Sequence, residues 1–507
     1  MVTKIITAGF NGIDGVLVTV EIDITRGLPY FSIVGLADIS VKESKERVRS
    51  AIINSGFEFP VNRITVNLAP ADLRKEGTQF DLPIAIAILL ATEQIYVSRK
   101  NDYLFMGELS LFGELNKTRG ALPIVMEGAN KNINKFIVPY DNAKECGLIK
   151  DVSIFPARNL LEVIEIIEKQ DTIPYIADYS DVKKSVIDLD YEDVIGQESS
   201  KRAIEVAAAG GHNIIIIGPP GSGKTMLARR LPTILPPMSV EEALETTKIF
   251  SVSGLISQDT ALITTRPFRA PHHTLSNAAL IGGGSMPRPG EVSLASGGVL
   301  FLDELPEFKR DALEVLRQPL EDGVVTIARV QASLQYPAHF MLAAAMNPCV
   351  CGYFGDAFRQ CTCPPGLVRK YQQRISGPLL DRIDLHVDVP RLAEEELVNT
   401  SPSEPSVEIR GRVTRARAIQ NRRFDAMSIH CNAQMGSREI RDLCPITQDV
   451  RTLLRAAIQQ LGLSARAYDR ILKVARTIAD LGGGEQITVA HVAEAIQYRT
   501  LDRKMWL

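Results

Sequence analysis

The stretch NIIIIGPPGSGKT, residues 213–225, constrains this chain more than any other. Gly218, Gly221, Gly223, Lys224 and Thr225 fill the pattern G-x-x-x-x-G-K-[ST], with Pro219, Pro220 and Ser222 between them. The apolar run before the loop reads as a buried strand and the MLARRL after it as a helix. Each residue type has a chemical reason. The glycines let backbone N–H groups turn inward around phosphate oxygens, Lys224 reaches the β- and γ-phosphates, and the Thr225 hydroxyl ligates Mg²⁺ at a helix N-terminus. A chance glycine turn would not be framed by a strand and a helix. The pattern therefore demands a parallel α/β sheet and a nucleoside triphosphate with Mg²⁺.

Two further strands carry polar residues at their ends. GGVLFLDE places Asp303 to hold Mg²⁺ through water and Glu304 to polarise an attacking water. HFMLAAAMNP ends in Asn347, an uncharged group suited to orienting that water. Phosphoryl transfer also needs positive charge at the transition state, in cis or from a neighbour. Arg382, in SGPLLDRIDLHVDVP, and Arg466, in LSARAYDR, are the candidates. Arg466, Arg470, Lys473 and Arg476 fall on one helical face, a pattern that ordinarily means a solvated surface.

A length of 507 residues implies about three domains. The spacing predicts strands over Val16–Ile24 and Arg63–Leu68, with helical periodicity over Ile39–Gly56. The boundaries predicted are a first domain over 1–170, an acidic linker over 171–193, and an ATPase domain over 194–398. A Pro/Ser-rich linker over 399–406 and a helical domain over 407–507 follow. The formal net charge of −3 excludes a uniformly basic nucleic-acid binder. It hides a division, because residues 401–507 hold 17 Lys and Arg against 11 Asp and Glu, a net of +6, leaving −9 for the rest. The longest apolar stretch, Leu82–Ala91, contains Pro83 and is too short for a bilayer, and the N-terminus has no signal pattern, so no membrane association and a cytoplasmic location are expected.

Together these residues resemble the AAA+ ATPases, and within them the magnesium-chelatase-like family of the ComM and YifB type. The resemblance extends over essentially the whole chain. Its specific marks are RPFRAPHHTLSNAALIGGG, GGVLFLDELPEF, LRQPLEDGVVTIAR and YQQRISGPLLDRIDLHVDVP. It implies a P-loop AAA+ core with a C-terminal helical lid. Lys224 and Thr225 are assigned to nucleotide and Mg²⁺, Asp303 and Glu304 to the Walker B role, and Asn347 to the first sensor. It also makes Arg382 a finger acting in trans and Arg466 a second sensor, and so implies a homohexameric ring.

The first domain resembles the Lon-protease-type α+β fold, related to ribosomal protein S5 domain 2, through RKEGTQFDLPIAIAILLA and GELSLFGELNKTRGALP. Gln79 stands where such peptidases carry the nucleophilic serine, and Thr78 is off register. A binding or assembly module, not an active protease, is the expectation.

Three features bear on cargo and cofactor. Cys349, Cys351, Cys361 and Cys363 form C-x-C-x9-C-x-C, a thiolate set suited to structural Zn²⁺, while Cys146, Cys431 and Cys444 read as packing residues. His272 and His273, adjacent on a loop, are expected to point apart and to engage substrate or pack. Arg410, Arg412, Arg415, Arg417, Arg422 and Arg423 crowd into fourteen residues without an acid, a density suited to the DNA backbone or to a solvated helix. The segment Phe268–Pro289 is the pore-loop candidate. The family resemblance implies a motor for branch migration on DNA during recombination; a chelatase-type motor that remodels a protein partner is the alternative.

Overall fold

The structure is a computed structural model that describes residues 2–97, 102–169, 171–177, 188–257, 260–284, 287–328, 333–392, 403–425, 427, 429–461 and 464–499. Residues 178–187 of the first expected linker, 399–402 of the second, and 285–286 of the pore-loop candidate lie outside them. The chain forms two compact units. One contains residues 1–184, 240–264 and 287–289, the other 185–239, 265–286 and 290–507.

The first unit is built on seven strands: β1 (Val2–Asn11), β2 (Asp14–Thr25), β3 (Tyr30–Val34), β4 (Arg63–Ala69), β5 (Tyr103–Phe105), β6 (Lys135–Pro139) and β7 (Ser153–Ala157). They lie in the order β3-β4-β2-β1-β5-β6-β7. The β1–β2 and β2–β4 pairs are antiparallel and the remaining pairs parallel. The apolar stretch singled out in the sequence is the Asp81–Ala91 helix, buried from Asp81 through Leu89. Apolar on every side, it can only be a core helix. Its one charge, Asp81, accepts from the Ser44 hydroxyl and from Arg47, at 2.5 and 3.0 Å, so the buried carboxylate is paired. The unit also takes in the Val240–Ser253 helix, which lies in sequence between the phosphate loop and the pore-loop candidate. Here the Gly120 N–H donates to the Ser251 carbonyl at 3.1 Å and Lys117 to the Ile256 carbonyl at 2.7 Å.

The second unit holds β8 (Ile214–Ile217), β9 (Phe268–Arg269), β10 (Val299–Leu302), β11 (Met341–Met346) and β12 (Leu385–Asp388). All pairs are parallel, in the order β9-β10-β11-β8-β12. Strands β8, β10 and β11 are buried at every position, which is why they read as unbroken apolar runs with no alternation. Four long helices follow: Ser406–Arg423, Gln448–Leu461, Ala465–Leu481 and Val489–Gln497; among the described residues 403–499 there is no strand. Val413, Ala416, Ile471 and Val474 from these helices share one apolar cluster with Ile214 and Val387 of the sheet.

A buried polar latch ties the Ala465–Leu481 helix to the sheet. Asp384, just before β12, lies 3.1 Å from His212 Nδ1 and accepts from Arg470 at 2.7 Å, while His212 Nε2 lies 2.8 Å from the Thr477 hydroxyl. Burial pushes the Asp384 carboxyl up, but the His212 hydrogen bond and the Arg470 charge outweigh it and hold it well below the usual carboxylate range. A depressed folded value stabilises above the unfolded value of about 4 and is lost as the pH falls through the folded one. Asp384→Ala is thus expected to cost about 3 kcal/mol at pH 7, since it strands Arg470, and the gap to the unmodified protein should close below about pH 4. Denaturant unfolding across pH checks both statements.

Candidate nucleotide-binding site

Because β8, β10 and β11 are parallel neighbours, their carboxyl ends open on one edge of the sheet. That edge is where open α/β sheets bind ligands. The phosphate loop leaves β8, Asp303 and Glu304 leave β10, and Asn347 leaves β11. The expected polar groups meet there. Lys224 Nζ donates to the Gly218 and Pro219 carbonyls at 2.8 Å each and to Asn347 Oδ1 at 3.1 Å. Thr225 Oγ1 donates to Asp303 Oδ2 at 2.8 Å, and the other Asp303 oxygen accepts the Glu304 N–H at 3.0 Å. Burial lowers the Lys224 pKa from its ordinary value, opposed by Asp303 and Glu304.

The loop fits a nucleoside triphosphate. Gly221 and Gly223 take φ of +79° and +88°, and a Cβ on either would meet nothing within 4 Å, so the cradle is open at both. Gly218 is the opposite case, since a Cβ there would lie 2.2 Å from the Val389 carbonyl oxygen. The buried Ser222 hydroxyl has no hydrogen-bond partner among the described residues. Glu304 is held at φ +53°, a left-handed conformation that strains a non-glycine residue and recurs at functional sites.

One contact at this edge contradicts the sequence reading. The rings of His272 and His273 do not point apart: their centroids are 4.1 Å apart at an interplanar angle of 33°. His273 sits edge-on to Phe308, and its Nδ1 lies 3.6 Å from the Glu304 carboxylate. The pore-loop candidate thus touches the residue expected to polarise water. Earlier in that segment, Arg269 grips Glu291 with two bonds of 2.6 and 2.7 Å.

The two arginine candidates are placed otherwise. Arg382 donates to the Pro378 carbonyl at 2.7 Å and pairs with Glu321. Arg466 is exposed, 3.9 Å from Asp381, beside Arg382 in the chain. Among the described residues neither bonds to Lys224, Thr225, Asp303, Glu304 or Asn347.

The arginine-rich segments are also less free than their spacing suggested. The face containing Arg470, Lys473 and Arg476 is not solvated: Arg470 joins the Asp384 latch, Lys473 donates to the Ala433 carbonyl at 2.9 Å, and Arg476 is buried against Asp480. In the Ser406–Arg423 helix, Arg412 pairs with Glu205 and Glu404, Arg417 donates to the Ala208 and Ala209 carbonyls, and Arg423 pairs with Asp480. Arg410, Arg415 and Arg422 are exposed, the last two separated by two turns and therefore on one face.

The Cys349–Cys363 loop draws its four sulfurs together. Every Sγ lies within 4.8 Å of the others, with pairs at 3.3, 3.6 and 3.7 Å. Backbone N–H groups of Tyr353 and Thr362 hold the Cys351 thiol down to about 5. Cys146, Cys431 and Cys444 are buried, as packing residues should be.

A parallel sheet in this order, with a phosphate loop, an acidic strand end and a polar third strand end converging on one edge, defines an AAA+-like nucleotide-binding core. The comparisons specify it. Residues 190–397 match the family described as "Magnesium chelatase, subunit ChlI", residues 20–142 "Subunit ChlI of Mg-chelatase", and residues 403–499 "Magnesium chelatase, subunit ChlI C-terminal". The competence protein ComM of Haemophilus influenzae is 45% identical over 501 residues, covering 97% of this chain and 96% of that one. YifB of Salmonella typhimurium is 46% identical with the same coverage, and Mb2921c of Mycobacterium bovis is 41% identical, covering 96% of this chain and 97% of its own. The chain belongs to the magnesium-chelatase-like family, with ComM and YifB among its relatives. Among the described residues no helix is long and apolar enough to cross a membrane.

MgATP at about 100 times its Kd should stabilise the protein by about 2.7 kcal/mol. Lys224→Ala removes the cation expected at the phosphates, and thermal melts with and without nucleotide should show that stabilisation reduced to near zero.

Proposed function

We propose that this protein is a ring-forming ATPase that converts ATP and water to ADP and phosphate and uses the cycle to move DNA, with branch migration during recombination of incoming DNA as its work. The observation that carries the ATPase reading is the convergence of Lys224, Thr225, Asp303 and Asn347 at one sheet edge. In this reading the phosphate-loop backbone and Lys224 bind the triphosphate, Thr225 and Asp303 hold its Mg²⁺, and Glu304 accepts the proton of the attacking water. The metal neutralises phosphate charge when bound. Asn347 orients the water. Arg382 reaches the site of a neighbouring subunit and Arg466 serves as the second sensor, which makes the assembly a homohexamer. The C-terminal helices act as the lid, and Zn²⁺ occupies the four cysteines. A cytoplasmic setting suits the free thiols and the nucleotide.

The DNA reading is supported by the likeness to the Haemophilus competence protein and by the exposed Arg410, Arg415 and Arg422. The first unit is read as a Lon-like module without peptidase activity: Gln79 is buried and donates to the Glu76 carbonyl at 2.8 Å. The alternative, a chelatase-type motor acting on a protein partner, is favoured by the ChlI descriptions of all three matched segments.

Two measurements separate these readings. ATP turnover should rise with forked or four-way DNA, and Glu304→Gln should keep nucleotide binding while lowering kcat by about 100-fold or more. Turnover indifferent to DNA, with no branched substrate remodelled, would sink the DNA reading and leave the protein-remodelling one. Arg415→Ala with Arg422→Ala should weaken DNA binding and reduce the salt slope by about 2, whereas Arg412→Ala, which breaks the pairs with Glu205 and Glu404, should act on stability instead.

A further inference from the structure

We infer that the four-cysteine loop is a metal-held clamp on the nucleotide site, so that occupancy by a thiophilic divalent cation sets ATP affinity and turnover. This rests on the ATPase reading and on zinc at the four cysteines.

The sulfur geometry suits such an ion. A tetrahedron with metal–sulfur bonds of about 2.3 Å has sulfur–sulfur edges of about 3.8 Å. Three of the edges here are 3.3, 3.6 and 3.7 Å, too long for a disulfide and close to that tetrahedron. The Cys351 N–H donates to Cys363 Sγ at 3.3 Å and the Cys363 N–H to Cys361 Sγ at 3.4 Å, the support that coordinating thiolates receive. The rest of the loop is held by short-range bonds: Asp356 Oδ1 accepts from the Phe358 and Arg359 N–H groups at 2.7 and 3.1 Å, and Arg359 donates to the Tyr353 hydroxyl at 2.9 Å. Residues 347–363 form neither helix nor strand, and Val350, Phe354 and Phe358 are exposed by 50% or more. A segment with so small an apolar core needs a cross-link to keep one shape.

The loop's position gives the shape a consequence. It starts at Asn347, which accepts from Lys224, and the Pro348 carbonyl accepts from Gln372 at 3.1 Å. Between Cys351 and Tyr353, Gly352 takes φ of +85° and lies flat on the phosphate loop. A Cβ there would fall 2.5 Å from Pro220 Cδ, and Asn347 Cγ lies 3.8 Å from the same point. One loop therefore backs both the phosphate loop and the polar residue facing Lys224. Releasing its sulfurs frees the backbone that presses on Pro220 and the strand end that presents Asn347.

The test uses the full chain, zinc analysis, and titration with a fluorescent non-hydrolysable ATP analogue, so binding is read independently of hydrolysis. About one zinc per chain is expected. Stripping it with a mercurial reagent should weaken analogue affinity and lower kcat, each at least tenfold, and zinc with excess thiol should restore both. Gly352→Ala should keep its zinc and still lose affinity, which separates a clamp from a fold-wide loss caused by Cys361→Ser. Metal-free native protein with full affinity would refute zinc and the clamp together. Zinc whose removal leaves affinity and turnover unchanged would refute the clamp alone. A zinc-dependent change in analogue affinity without turnover would uphold the clamp and refute the ATPase reading.

Discussion

Strand order in the second unit is the constraint on which the site depends. With β10, β11 and β8 parallel and adjacent, three segments spread over more than a hundred residues of the chain deliver their polar ends to one edge. Alignment of the strands is enforced by burial on both faces, because a slip of one residue would leave ladder groups unpaired without giving any side chain access to water. The Lys224–Asn347 and Thr225–Asp303 contacts follow from this register more than from any attraction between the side chains themselves.

The charge distribution is organised by burial. Of the arginines that make the C-terminal region basic, a large share is consumed internally: Arg412, Arg417, Arg423, Arg470 and Arg476 satisfy carboxylates and helix-end carbonyls. Guanidinium is suited to this because its fork can satisfy two acceptors at once. Net charge therefore overstates the cationic surface, and what faces outward among the described residues there is Arg410, Arg415, Arg422, Arg438, Arg441, Arg451, Arg455 and Arg466. The Ala465–Leu481 helix, which carries Arg466, is fastened to the sheet through Asp384 and His212, so a shift in that helix and one in the β12 edge are linked.

Much of the fold was legible residue by residue. Val299–Leu302 is the strand its apolar run implied, and β2 and β4 extend by a residue or two beyond the alternation that marks them. The phosphate-loop contacts were legible too, since a short-range motif fixes its own geometry. Contacts between distant segments were not. Nothing local in RAPHHT indicates that His273 stands beside Glu304, and nothing local in the 410–423 run distinguishes Arg412, which faces Glu205, from Arg415, which faces water.

The sequence by itself determined the phosphate-loop motif, the buried strands and the helical C-terminal region, because glycine spacing, a lysine, and runs of apolar residues act over a few positions. Only the tertiary structure decided which cations are spent inside the protein, that residues 240–264 are packed with the first unit, and that the cysteine loop rests on Pro220. Those outcomes depend on which desolvated charge finds a partner and which backbone can approach another closely, and both are set by chain segments that no local pattern relates.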